Sequence, residues 1–479
     1  MDYEAVIGLE VHVELQTDSK MFCGCRVVDP TETEPNTSVC PVCMGMPGVL
    51  PVTNRKAVEF GIKVAHALSC SINIESIFAR KNYFYPDLPK GYQISQYEEP
   101  LARHGKIPIQ TPEGIREIRV RRVHLEEDTG KLTHVENASL IDFNRAGIPL
   151  LEIVSEPDIR TGAEARSFAE NLRSIVKYLG VNSGDMQKGV LRIEPNVSIR
   201  PVGSDEFGTR SEIKNLNSFR ALERGIAFEI QRQTRLLDQG EDVLQETVGW
   251  DESRQITFPQ RVKEGDDDYR YFPEPDLPHL RLNPLWVDEI KQSLPELPLG
   301  KLIRFQGEYN LDETTASILV TERDVADYFE AVINAAPDIT PKQISNWITG
   351  ELFSLMNETG DTIHSIKISP EALGELLKLI KRGDVNNTAG KSILKTMYEQ
   401  GLSAVEIMEA SGLRQISDAG QISSTVAKVI RENPDQVSNY LGGKDGLFNW
   451  FFGQVMREMR RKADPEVVKD ELRNQLKPG

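Results

Sequence analysis

The fold of the first half of this chain is decided near its start by the stretch Val6-Ile7-Gly8-Leu9-Glu10-Val11-His12-Val13-Glu14-Leu15. Apolar and polar side chains alternate from Leu9 onward, which predicts a β-strand with one buried face. Glu10, His12 and Glu14 share the opposite face. Two interpretations of these ionisable side chains stay open. They form either a solvated strand surface or a divalent-metal site, because carboxylates with one imidazole suit Mg²⁺ or Mn²⁺.

Two further acidic segments are candidates for the same chemistry. One carboxylate, Glu152, is embedded in the apolar run Ile148-Pro149-Leu150-Leu151-Glu152-Ile153-Val154. A buried carboxylate must be protonated, paired or metal-bound. The other segment, His124-Leu125-Glu126-Glu127-Asp128, directly follows the basic strand Arg119-Val120-Arg121-Arg122-Val123. Such an acidic cluster is also typical of a solvated turn, so both interpretations stay open here.

Four of the five cysteines lie close together in the chain. Cys23 and Cys25 form a C-x-C pair, fourteen residues follow, and Cys40 and Cys43 close a C-x-x-C pair. Two such pairs on opposing turns are what a tetrahedral zinc site requires, and four thiolates leave no open coordination position. The spacing therefore predicts a structural zinc site at 23–43. The alternative is a set of four buried free thiols.

The composition is that of a globular chain with more than one domain. The 479 residues are 39% hydrophobic and 27% charged, with 56 Lys+Arg against 73 Asp+Glu and a net charge of −17. This charge argues against non-specific nucleic-acid binding, so any RNA partner needs a local basic patch. The sequence shows no leader pattern and no run that approaches a membrane span, so we expect a cytoplasmic protein without membrane association.

The hydrophobic pattern divides the chain into three regions. Residues 1–294 read as short strands joined by turns, with helices predicted at Thr161–Leu179 and Ser218–Leu237. Prolines crowd together between 273 and 298, which indicates a boundary near 295. The pattern is helical from there on, and we divide it into 295–402 and 403–479 because Ser403 can cap a helix.

The sequence contains no complete glycine-rich nucleotide-binding loop. The segment Asn386-Asn387-Thr388-Ala389-Gly390-Lys391-Ser392 ends like a phosphate loop, but Val385 stands where the first glycine is required. Thr388 is better interpreted as the cap of the next helix. Aromatic and cationic side chains suited to phosphate or a terminal nucleoside occur instead in 80–92 and 266–272.

Longer phrases of the sequence resemble one family, the B subunits of the glutamyl/aspartyl-tRNA amidotransferases, over essentially the whole chain. The phrases are Val6–Leu15, Arg80-Lys81-Asn82-Tyr83-Phe84-Tyr85-Pro86-Asp87, Tyr92–Gln96, Leu151-Glu152-Ile153-Val154-Ser155-Glu156-Pro157-Asp158, Glu212-Ile213-Lys214-Asn215-Leu216-Asn217-Ser218-Phe219 and Asp268–Asp276. The resemblance implies an α+β fold: an N-terminal mixed or antiparallel-sheet cradle domain followed by an all-α helical domain and a small helical tail that binds tRNA.

The resemblance also implies an activity. Members of this family use ATP and Mg²⁺ to phosphorylate the side-chain carboxylate of Glu-tRNA(Gln) or Asp-tRNA(Asn), and ammonia then displaces the phosphate. Carried over to this sequence, the Mg²⁺ ligands and catalytic residues are Glu10, His12, Glu127 and Glu152. Side-chain chemistry and the family phrases together suggest ATP or tRNA-end contacts at Lys81, Tyr83, Lys90, Lys214 and Arg270.

The implied partners are an amidase, the A subunit, which makes ammonia from glutamine, and a small C subunit, in a heterotrimer. The chain itself lacks the amidase Ser-Ser-Lys signature. In the tail, a basic cluster of Arg457, Arg460, Arg461 and Lys462 suits tRNA, although charge matching at a helix end is an equal alternative. Two rival functions stay open: a non-catalytic zinc-bearing tRNA adaptor, and a metal-dependent phosphodiesterase acting on RNA.

Overall fold

The computed structural model describes residues 2–29, 31–262, 269–411, 419–459 and 463–477. Contacts group the chain into two compact units, residues 1–300 and residues 301–479. Over the described residues, the first unit is built of strands and helices and the second of helices. The predicted α+β class, with a mixed sheet followed by helices, is confirmed. The boundaries proposed at 294/295 and 402/403 stay predictions.

The described residues of the first unit form a large sheet and three smaller ones. Its strands are β1 (Tyr3–Glu14), β2 (Ser71–Ile72), β3 (Glu75–Ser76), β4 (Ala79–Asn82), β5 (Tyr92–Ser95), β6 (Ala102–Thr111), β7 (Gly114–Glu127), β8 (Lys131–Val135), β9 (Ala138–Asp142), β10 (Pro149–Ser155), β11 (Leu191–Pro201), β12 (Ser211–Lys214), β13 (Glu246–Asp251), β14 (Ile256–Val262), β15 (Phe272–Pro273) and β16 (Leu280–Arg281). Its helices are α1 (Arg55–Ala67), α2 (Gly162–Tyr178), α3 (Phe219–Asp238) and α4 (Pro284–Gln292).

The described strands of the large sheet run in the order β14-β13-β12-β11-β1-β10-β7-β6-β2. Every described pair in it is antiparallel except β12 with β13. The strand β1 lies at the centre of the sheet, between β10 and β11. The smaller sheets are β15-β4-β5, β16-β3 and β8-β9.

The two faces of the large sheet have opposite characters, as the alternation in β1 predicted. Leu9, Val11 and Val13 are at most 1% exposed and belong to the core of the unit. Helices α1, α2 and α3 cover that face and contribute apolar side chains such as Ile62 and Phe168. Burying such residues is the main stabilising term in a fold of this kind. The other face carries the polar side chains of the same strands.

The two helices predicted in the first region are confirmed, and each is capped by the residue at which it was predicted to begin. The hydroxyl of Thr161 accepts a hydrogen bond from the backbone N–H of Glu164 at the start of α2, and Ser218 does the same for α3. Helix α4 was not predicted. It begins inside the proline-rich segment, where Pro284 occupies the first helical turn, a position at which the missing N–H costs nothing.

The described helices from Pro298 onward surround two apolar clusters. They are α5 (Pro298–Glu308), α6 (Glu313–Val320), α7 (Arg323–Ala335), α8 (Pro341–Asn346), a π-helical turn (Trp347–Leu352), α9 (Phe353–Thr359), α10 (Pro370–Lys381), α11 (Asn387–Gln400), α12 (Ala404–Ala410), α13 (Ala419–Glu432), α14 (Pro434–Leu441), α15 (Leu447–Glu458) and α16 (Pro465–Gln475). One cluster runs from Phe305 to Met408 and the other from Ile422 to Leu476.

Two details of this unit bear on the predictions. Ser403 caps α12 as expected, but the expectation that Thr388 caps α11 is wrong, because the side chain of Asn386 accepts from the backbone N–H of Ala389. Of the basic cluster, Arg457 lies in the last turn of α15. The other members, at 460–462, lie outside the described residues.

In the described part of the chain, no helix combines the length and the apolar character needed to cross a membrane.

Candidate functional site: a cavity on the polar face of the sheet

The polar face of the large sheet forms the floor of a cavity of about 1160 Å³. Strand register sets the order of the side chains on this floor. His12 on β1 lies opposite Glu152 on β10, and Glu152 lies opposite His124 on β7. On its other side His12 faces Arg192 of β11. Directly opposed residues on neighbouring strands are close enough to interact, so four strands contribute to one row of ionisable groups.

Three side chains of this floor converge on one point. The His12 Nε2 atom lies 3.6 Å from a carboxylate oxygen of Glu126 and 3.6 Å from one of Glu152. One nitrogen or oxygen of each residue lies within 4.8 Å of the others. This group of His12, Glu126 and Glu152 is called the carboxylate cluster below. His124 contacts the cluster through Glu152, with its Nε2 atom 3.0 Å from a carboxylate oxygen of that residue.

The close approach of carboxylates and histidines shifts the pKa values of the cluster and of its neighbour Glu10. Burial alone would lower the pKa of His12, but its hydrogen bond with Glu152 and the charges of Glu152 and Glu126 raise that pKa to about 9. Burial likewise opposes ionisation of Glu152, yet the two neighbouring histidines bring its pKa well below the ordinary value. The neighbouring Glu10 has a raised pKa, first because of burial and then because of the Glu152 charge. The floor therefore attracts cations.

The structure places one of the four predicted ligands, Glu127, apart from the carboxylate cluster. Glu127 is not in the cluster, since successive residues of β7 point to opposite faces and Glu126 is the one on the cavity side. The Glu127 carboxylate lies instead 2.6 Å from the Lys90 ammonium and accepts the backbone N–H of Ile94. Alternation places Glu126 on the same strand face as His124, but only the pairing of His124 with Glu152 shows that this face lines the cavity.

The predicted residues His12 and Glu152 are brought together by the structure, and Glu10 lies beside them. Glu10 lines the same cavity, and its carboxylate accepts a hydrogen bond of 3.1 Å from Asn196. The sequence indicated the segment His124–Asp128 as a candidate, but neither His124 nor Glu126 was selected from it as a site residue. The two residues are two positions apart and share one strand face.

Three of the five predicted nucleotide contacts line the cavity. Lys81 lies with its ammonium 4.7 Å from the ring centre of Tyr269 and 5.9 Å from that of Tyr83. The ammonium of Lys214 is 3.0 Å from carboxylates of both Glu194 and Glu212. Burial opposes the charge on Lys81, but Glu126 keeps its pKa raised, so this lysine remains an ammonium.

The other two predicted contacts lie elsewhere. Lys90 is in a second pocket with Glu127, and the Arg270 side chain is exposed. The neighbours of Arg270 in sequence, Tyr269 and Tyr271, point into the large cavity instead. Alternation along an extended segment again separates adjacent residues onto different sides.

The four clustered cysteines also converge, as their spacing predicted. The sulfur atoms of four residues all lie within 4.8 Å of one another: Cys23, Cys25, Cys40 and Cys43. This group is called the thiol cluster below. Beside it lies the fully buried Lys20, whose ammonium is 3.7 Å from the Cys43 sulfur and 3.2 Å from the Phe143 carbonyl oxygen. A hydrogen bond donated by the Cys23 thiol lowers the pKa of Cys43 to about 4, and the Lys20 charge is one of the smaller contributions in the same direction. A thiolate at Cys43 is the form that binds a metal.

Sequence comparisons place this fold and site in a known class. Residues 5–288 match the GatB/GatE catalytic domain, and residues 327–476 match the GatB domain. The large cavity and both clusters lie within the first match, which makes the sheet unit the catalytic domain of this class.

Whole-length relatives narrow the class to one family. The chain is 47% identical over 477 residues to the B subunit of the aspartyl/glutamyl-tRNA(Asn/Gln) amidotransferase of Persephonella marina, covering 100% of both chains. It is 48% identical over 471 residues to the protein of the same name from Thermodesulfovibrio yellowstonii, covering 98% of each. The chain therefore belongs to the family of aspartyl/glutamyl-tRNA amidotransferase B subunits. This confirms the resemblance stated from the sequence and the enzyme class it implied, a tRNA-dependent amidotransferase.

Proposed function

We propose that the large cavity is where ATP activates the side-chain carboxylate of a misacylated tRNA. The substrate is Glu-tRNA(Gln) or Asp-tRNA(Asn), the phosphate donor is ATP, and ammonia then converts the activated carboxylate to the amide. The observation that carries this proposal is the carboxylate cluster at the floor of a cavity whose walls bear cations. A carboxylate is a poor acyl donor, and its mixed anhydride with phosphate is a good one.

The donor set of the cluster fits Mg²⁺. Two carboxylate oxygens and one imidazole nitrogen, all within 4.8 Å of one another, can bind one divalent cation. His12, Glu126 and Glu152 would hold this ion, with Glu10 beside them. Glu126 takes the place of the predicted Glu127. When bound, the ion neutralises phosphate charge during transfer.

The residues of the chain supply binding and orientation around this point. The ammonium of Lys81 and that of Lys214 face the cavity from two sides and are suited to phosphate oxygens. The cavity volume of about 1160 Å³ exceeds the usual range of about 300–1,000 Å³ for one small ligand. It therefore has room for both a nucleotide and the aminoacyl end of a tRNA.

The same proposal assigns the remaining parts of the reaction to partners. Ammonia would come from an amidase, the A subunit, with a small C subunit completing a heterotrimer, because this sequence contains no amidase signature. The relatives are named as one lettered subunit of an enzyme, which supports an assembly of several chains. The helical tail, residues 403–479, would contact the body of the tRNA.

The thiol cluster would hold a structural Zn²⁺. A tetrahedral ion with Zn–S bonds of about 2.3 Å separates its sulfurs by roughly 3.8 Å, and the Cys40 and Cys43 sulfurs are 3.9 Å apart. With four thiolates there is no position left for a substrate. Its role would be to hold 23–43 together beside the Lys90–Glu127 pair.

A single-turnover assay tests the proposal. The full-length chain with its partner subunits is mixed with labelled ATP, Mg²⁺ and Glu-tRNA(Gln), and phosphate release is followed in wild type, Glu152→Gln and a control, Glu156→Gln. We expect release that needs both Mg²⁺ and the misacylated tRNA, falls about 100-fold or more in Glu152→Gln, and is retained in Glu156→Gln.

The rival functions give different results in the same assay. An adaptor would release no phosphate in any mixture. A phosphodiesterase would shorten the tRNA without ATP. The convergence of His12, Glu126 and Glu152 favours phosphoryl transfer over the adaptor, for which splayed and solvated carboxylates are expected.

A further inference from the structure

Strand β7 carries a basic run of which two arginines have ordinary ion-pair partners. Arg119 binds Asp158 through two nitrogens, at 2.6 and 2.9 Å. Arg121 binds Glu156 at 2.8 Å. Both arginine side chains are more than half exposed. Each of these two exposed guanidinium groups therefore has a carboxylate partner at the surface.

The third arginine of the run, Arg122, has no such partner. Within the described residues it makes no hydrogen bond or ion pair through its side chain, and its Nε atom is fully buried without an acceptor. Its guanidinium carbon lies 6.0 Å from the ring centre of Tyr97. The less exposed arginine is thus the unpaired one, which is the reverse of what stability alone favours.

An irregularity in the sheet aims this side chain at the cavity. The pairing of β7 with β10 shifts between Val154, opposite Arg122, and Ser155, opposite Val120. Arg121 is the extra residue of this bulge. Bulges next to active sites commonly redirect a side chain. Arg122 lines the large cavity, two residues before His124, and so stands about 7 Å along the strand from the row that holds the carboxylate cluster.

Most other cations of the cavity are already engaged or solvated. Arg192 binds Asp128 at 2.9 Å, and Lys214 binds two carboxylates. Lys81 lies against two tyrosine rings, and Arg210 is exposed, so water satisfies its donors. Of these cavity cations, Arg122 is the one whose partly buried, planar guanidinium has no anionic partner in the described part of the chain. Such a fork matches two oxygens of one phosphoryl group.

We propose that Arg122 binds the phosphoryl group that is transferred in this cavity. The proposal rests on the proposed function and extends it. In the step concerned, an oxygen of the side-chain carboxylate forms a bond to the γ-phosphorus of ATP. The bond from that phosphorus to the β,γ-bridging oxygen breaks, and ADP leaves with the electron pair. Arg122 contacts the non-bridging oxygens throughout and neither gains nor loses a proton.

The adjacent residue provides the matched control. Arg122→Gln and Arg121→Gln each remove one guanidinium from neighbouring positions, but only the first takes it from the cavity. In the full-length chain with its partner subunits, we expect the single-turnover rate of phosphoryl transfer to fall about 100-fold or more in Arg122→Gln. Arg121→Gln should stay within about threefold of wild type. Added guanidinium chloride, below denaturing concentrations, should restore part of the rate in Arg122→Ala.

Each other outcome overturns the proposal. A rate within threefold of wild type in Arg122→Gln would do so, as would a lost rate that guanidinium does not restore in a folded Arg122→Ala.

Weaker tRNA binding with normal phosphoryl transfer would assign Arg122 and Tyr97 to the tRNA instead. If the glutamine variant does not fold, Arg122→Lys decides, because it keeps the charge and loses the fork, and its rate should still fall. Absence of ATP cleavage in wild type would instead overturn the proposed function itself.

Discussion

The carboxylate cluster and the thiol cluster are assembled in opposite ways. The thiol cluster comes from one segment of about twenty residues, and the spacing of its members in sequence predicts their meeting. The carboxylate cluster takes one residue from each of three strands, β1, β7 and β10. Local geometry is enough for the first, whereas the second exists only once strand register is set. A site of the second kind is therefore sensitive to which face of a strand each residue occupies.

The sharpest test of this comparison uses the adjacent residues Glu126 and Glu127. Glu126→Gln should lower tRNA-dependent phosphoryl transfer about 1,000-fold, because it removes a charged ligand from the cluster. Glu127→Gln should retain transfer within about tenfold, since its carboxylate binds Lys90 on the other side of the strand. Rates from single-turnover phosphate release, with Mg²⁺ affinity measured by calorimetry, check both. Equal losses in the two variants would contradict the face assignment.

A second test uses pH. His12 must be neutral to donate a lone pair to a metal, and in the metal-free cluster its pKa is about 9. Protons therefore compete with Mg²⁺ below that pH. The apparent Mg²⁺ affinity should rise up to about tenfold per pH unit from pH 7 and level off above 9. Calorimetry across this range measures the slope. His12→Asn should remove the slope, and a pH-independent affinity in wild type would contradict the predicted charge state.

The smallest expected effect concerns the thiol cluster. Lys20→Met replaces the buried ammonium next to Cys43 with an apolar side chain of similar length. Removing this counter-charge should weaken zinc binding about tenfold, as outer-shell changes at metal sites usually do. Competition with a chromophoric chelator measures the affinity, and Lys188→Met, at an exposed ion pair, is the control. Phosphoryl transfer should change little, since the two clusters lie on opposite sides of β7.

Helix caps show which features of the fold can be predicted from neighbouring residues alone. The cap at Ser403 was predicted and found, and the helices predicted to begin at Thr161 and Ser218 are capped by those residues. A side-chain oxygen that accepts from a nearby N–H depends only on neighbouring residues. The cap of α11 was predicted at Thr388 and found at Asn386, two residues earlier. Asn386, Asn387 and Thr388 are consecutive residues that can each cap a helix, so residue type alone does not identify the cap there.

The same division applies to the candidate site. From the sequence, alternation in β1 predicted which side chains share a face, and the resemblance implied an amidotransferase that the comparisons confirm. The choice between Glu126 and Glu127 needed the pairing of His124 with Glu152. The split of the predicted nucleotide contacts, with Lys81 inside the cavity and Lys90 outside it, also depends on the face that each residue occupies.

By itself, then, the sequence determined the strand alternation, the capped helices, the cysteine group and the family of this protein, because each depends on residues close together in the chain or on long matching phrases. Only the tertiary structure shows which carboxylates meet His12 and that Lys20 is buried against the Cys43 sulfur. It also places Arg122, next to the bulge in β7, on the cavity with no anionic partner among the described residues. The physical reason is that strand register and bulges arise from pairing between distant segments, and a shift of one residue moves a side chain to the other face of the sheet.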